Sequence, residues 1–73
     1  MVTAEEIVEL GFMPYKIKRG NSIFYISNET DIIELTINLN TGRYKIEIND
    51  EETSKGKVSS INELEDRIQD GEY

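Results

Sequence analysis

The side chains able to do chemistry in this chain are nearly all carboxylates. Its 73 residues hold 15 Asp and Glu against 8 Lys and Arg, with no histidine and no cysteine. A Ser or Thr nucleophile needs a neighbouring base, and without histidine only lysine or a carboxylate could serve. No such pair is marked by spacing. Glu34 and Glu47 fall on neighbouring predicted strands, where two carboxylates could divide acid and base roles. An open sheet offers them no desolvated cleft to separate their proton affinities, so no catalytic residue and no enzymatic activity are expected. The run Asn49-Asp50-Glu51-Glu52 could gather oxygen ligands for a cation, but it lacks the alternating ligands, central glycine and distal glutamate of an EF-hand loop. The simpler reading is a flexible acidic loop over 49–57. No metal and no cofactor are expected: Cys and His ligands are absent, and the glycines at 11, 20, 42, 56 and 71 fit turns and caps rather than a phosphate loop.

The acid is unevenly placed. Residues 13–49 carry Lys16, Lys18, Arg19, Arg43 and Lys45 against Glu29, Asp31, Glu34 and Glu47, a balance of +1, while residues 1–12 contribute −3 and residues 50–73 contribute −5 to the total of −7. The absence of cysteine points to a reducing compartment with no disulfide framework. No apolar run approaches the about 20 residues of a membrane span, and Glu5, Glu6 and Glu9 occupy the stretch where a signal peptide would be basic and then apolar. A cytoplasmic protein without membrane contact is expected.

The positioning elements follow from caps and periods. Thr3 and Glu6 stand at capping-box spacing and Gly11 can stop the turn, predicting a helix over 3–10 with Ala4, Ile7 and Val8 inward and Glu5, Glu6 and Glu9 outward. Ser60 and Glu63 repeat the box, Ile61, Leu64 and Ile68 recur at helical spacing, and Gly71 can end the second helix. Between them the period is two. A Gly20-Asn21 turn pairs Arg19 with Ser22, Ile17 with Phe24 and Tyr15 with Ile26. A loop over 28–31 pairs Ser27 with Ile32, Ile26 with Ile33 and Phe24 with Leu35, and one over 40–43 pairs Leu39 with Tyr44, Ile37 with Ile46 and Leu35 with Ile48. The expectation is an α+β fold in a single domain over 1–73: a four-stranded antiparallel meander, order 1-2-3-4, with the N- and C-terminal helices on one face (αββββα) and the third strand central. The other face would carry Lys18, Ile23, Thr36 and Glu47 in one row and Lys16, Tyr25, Glu34 and Asn49 in the next.

Such a molecule offers surfaces to a protein partner. Glu5, Glu6, Glu9, Glu63, Asp66 and Asp70 would form an acidic helical back, joined by Asp50, Glu51 and Glu52 of the loop, and would attract a partner with a basic surface. Ile23, Tyr25 and Ile32 could core an interface on the open face, and the edge of the strand over 43–48 could pair with another chain, so a structural homodimer is the alternative. Nucleic acid is disfavoured. Tyr25 has no second stacking partner on that face, and a pI near 4.4 repels phosphate.

The composition adds a resemblance. With eleven isoleucines against one alanine and abundant Asn, Lys and Glu, the chain looks like a product of an AT-rich bacterial or phage genome. In size, acidity and helix-flanked sheet plan the chain resembles small phage- or prophage-encoded acidic accessory proteins. Some of these inhibit host defences, CRISPR nucleases among them, by covering basic nucleic-acid channels with acidic surface. The resemblance implies a non-enzymatic inhibitor or modulator of a host protein and assigns no residue.

Overall fold

Thr3 starts the fold by satisfying amides that the first helical turn leaves free. Its Oγ1 accepts from Glu6 N at 3.2 Å while Thr3 N donates to the Glu6 carboxylate at 3.0 Å, so the capping box closes as expected. The computed structural model describes residues 2–18 and 20–70. They form α1 (Ala4–Glu9), β1 (Met13–Lys18), β2 (Asn21–Ser27), β3 (Ile32–Ile37), β4 (Arg43–Ile48), β5 (Glu51–Lys57) and α2 (Ile61–Asp70). The architecture is α+β, an antiparallel sheet in the order β1-β2-β3-β4-β5. Ile7 of α1 and Leu64 and Ile68 of α2 share one buried cluster with Phe24, Leu35, Ile37 and Ile46, so both helices cover the same sheet face. α1 spans only six residues, and its inner stripe narrows to Ile7; Val8, expected inside, is 45% exposed. Ser60 Oγ accepts from Glu63 N at 3.3 Å, but the Glu63 carboxylate takes the Ser59 hydroxyl instead of the Ser60 amide, leaving the second box half closed. Gly71, the expected stop, lies outside the described residues.

The sheet has one strand more than expected. The stretch assigned to a loop over 49–57 is instead a hairpin, with Ile48 paired to Glu51 across Asn49 and Asp50, both left-handed at φ 53° and 68°. Two positive φ values in succession make the primed turn whose twist suits a hairpin, and Asn and Asp tolerate that region better than other non-glycine residues. Asn49 is held there by its side chain, which accepts from Ile32 N at 3.0 Å and donates to Asp31 at 2.8 Å. β5 is an edge strand with polar side chains. Ser54 and Gly56 stand opposite Ile46 and Tyr44 on the core side, and the Tyr44 hydroxyl meets Ser54 Oγ at 2.9 Å.

Two registers also differ. The β2–β3 pairing is as expected, with Phe24 opposite Leu35 and Ile26 opposite Ile33. In β3–β4, Ile37 faces Tyr44, Leu35 faces Ile46 and Ile33 faces Ile48, a two-residue slide that keeps every side chain on its face. Asn38 causes it: its Oδ1 accepts from Asn40 N at 2.9 Å and Thr41 N at 3.1 Å, which begins the turn before Leu39 can join the strand. In β1–β2, Lys18 pairs with Asn21 and Ile17 with Ser22, because Gly20 (φ 82°) lies inside the turn rather than opening it; the expected Arg19 pairing lies outside the described residues. The register then shifts between Pro14 and Lys16, and Tyr15 stands unpaired in the bulge. Ile17 and Tyr15, expected opposite Phe24 and Ile26, are 76% and 61% exposed.

Candidate functional site

The observed registers rewrite the open face. Direct cross-strand partners share a face, so Tyr25, Glu34, Glu47 and Glu52 form one row across β2 to β5, and Ile23, Thr36, Lys45 and Lys55 form the next. Arg43 opposite Lys57 follows beyond them, and Lys16 stands opposite Ile23. Each charged row is tied to the other within the chain: Lys45 Nζ lies 3.8 Å from Glu47, and Lys55 Nζ 4.0 Å from Glu52. The expected rows paired Glu47 with Thr36 and Asn49 with Glu34; both change because β4 slides by two residues.

Tyr15 is the residue that sequence reasoning missed. The β1 bulge turns it to the open face, where its ring meets Tyr25 edge to face at a centroid distance of 6.0 Å and takes Lys16 Nζ at 5.4 Å. Tyr15, Tyr25, Ile32 and Glu34 line a shallow cleft of about 290 Å³. Of the proposed apolar anchors, Ile32 is 57% exposed and Tyr25 half-buried, whereas Ile23 is buried at 9% by its neighbours and is no free contact. Pro14 in the strand was the available signal, since proline in a sheet marks an edge or a bulge.

The helical layer carries the acid on the opposite side. Glu5, Glu9, Glu63 and Asp66 are exposed; Glu6 is spent on the cap at Thr3, and Glu63 accepts from Ser59. Asp70 closes α2. The hairpin separates the three loop acids: Asp50 sits in the turn, Glu51 stands opposite Ile48 on the covered side, and Glu52 enters the open face beside Glu47. Among the described residues no group of three or more acidic side chains is placed to hold a metal ion. Glu34 and Glu47 do stand directly opposite each other, on a half-buried part of the sheet. No described helix is long and apolar enough to cross a membrane. Comparison with protein-family models, curated proteins and solved structures finds no match to this chain.

Proposed function

We propose that the chain is a small acidic protein-binding module without enzymatic activity, which inhibits or modulates a partner carrying a basic surface. The observation that supports this reading is segregation of charge by face. Glu5, Glu9 and Asp66 project from the helical layer, where Arg67 is the one cation with a described side chain, while Lys16, Arg43, Lys45, Lys55 and Lys57 occupy register positions on the far side of the sheet. Opposite faces of opposite charge orient an approaching partner and speed its encounter beyond what the net charge of −7 alone would do. Resemblance to phage-encoded inhibitors makes a host cytoplasmic protein the partner of choice. Immobilised chain incubated with bacterial lysate, with and without nuclease, tests the reading. A defined protein should be captured despite nuclease and lost with Glu5→Lys/Glu9→Lys/Asp66→Lys; equal capture by that variant would sink the acidic-surface version.

A further inference from the structure

The two central rows of the open face are complementary to each other. One runs Tyr25, Glu34, Glu47, Glu52 and the other Ile23, Thr36, Lys45, Lys55, side by side on the same strands. We infer that this face is the seat of a second copy of the chain, packed sheet to sheet about a two-fold axis that crosses the strands between the two rows. Such an axis reverses strand direction, so each residue faces its partner's residue from the adjacent row of the same strand: Glu47 meets Lys45 and Glu52 meets Lys55. Glu47 and Glu52, the acids of these rows on β4 and β5, each find a base. A symmetric interface must be self-complementary in this way, and aligned sheets about 10 Å apart leave room for lysine and glutamate to span the gap.

The axis carries Met13, in line with Tyr25, onto Lys16, in line with Ile23, so the apolar end is covered by the aliphatic stem of a lysine. Met13, Tyr15 and Ile32 are 56%, 61% and 57% exposed around Tyr25, an aromatic-rich patch of the kind that anchors interfaces. A nucleic acid fits the face less well, because Glu34, Glu47 and Glu52 form an unbroken carboxylate row beside the cations and would meet every phosphate track laid along them. The inference does not depend on the proposed function. A sheet-to-sheet dimer leaves both acidic helical layers outward and free.

Sedimentation equilibrium of the full chain at about 0.15 M salt tests it. The wild type should approach twice its 8.4 kDa mass as concentration rises. Lys45→Glu/Lys55→Glu makes both rows acidic, and Glu47→Lys/Glu52→Lys makes the β4 and β5 positions basic. Each variant alone should remain monomeric at concentrations where the wild type dimerises, and an equimolar mixture of the two should recover the dimer. The fourfold exchange of all these positions restores self-complementarity and should dimerise like the wild type, which a folding defect could not produce. A wild type monomeric throughout overturns the inference, whether or not the chain then binds a single-stranded oligonucleotide. So do variants that dimerise alone, or folded variants whose mixture does not associate.

Discussion

Gly42 shows how much of this fold depends on single backbone positions. It is left-handed at φ 83°, donates its amide to Asn38 O at 2.7 Å, and accepts from Val58 N at 2.9 Å, joining the β3–β4 turn to the segment that leads into α2. A Cβ there would lie 2.1 Å from Val58 O, a backbone atom that moves only with the chain. Gly42→Ala therefore combines left-handed strain with a clash and should cost about 3 kcal/mol. Gly20 has a similar φ of 82° but open space around it, so Gly20→Ala should cost only about 1 kcal/mol. Urea midpoints of the two variants measure the difference; equal losses would show that strain alone matters and that the Val58 contact is not made.

At the level of elements, what was legible in the sequence depended on whether side chains or turns carried the information. The helices were readable because caps and inward residues are local: Thr3 with Glu6, and Leu64 with Ile68. The β2–β3 hairpin was readable because Asn28 folds its own loop, its Oδ1 accepting from Thr30 N at 2.9 Å and Asp31 N at 2.8 Å. β5 was not, since an edge strand beside Tyr44 needs small residues inward and tolerates polar ones outward, which erases the apolar alternation. The β3–β4 slide was hidden because it moves by two residues, and a two-residue slide leaves every face unchanged. The open-face rows therefore differ in detail, although the faces of β2, β3 and β4 are as expected and only Tyr15 of β1 changes side. The β1 register has a sharp test. Ile17→Ala should leave stability within about 0.5 kcal/mol, as expected of an exposed residue, whereas Leu35→Ala, fully buried in the middle strand, should cost about 3 kcal/mol. A large loss at Ile17 would restore the core pairing with Phe24.

For the whole molecule, the sheet acts as a partition. Its covered face supports helices whose exposed charged side chains are acidic apart from Arg67 among the described residues, and its open face collects lysines, tyrosines and one carboxylate row. The sequence-level contrast between acidic flanks and a near-neutral middle becomes a contrast between surfaces, sharpened because β5 brings Lys55 and Lys57 from an acidic flank onto the open face. A partner steered to the helical layer should bind at a rate that falls steeply as salt screens the field. The most direct measurement is the association rate of the captured partner with immobilised chain across ionic strength, for the wild type and for Glu5→Lys/Glu9→Lys/Asp66→Lys. The wild-type rate should fall about tenfold between low and physiological salt, and the variant should start at least tenfold slower and respond weakly. Rates that are equal for the two chains and independent of salt would contradict binding through the acidic helical layer.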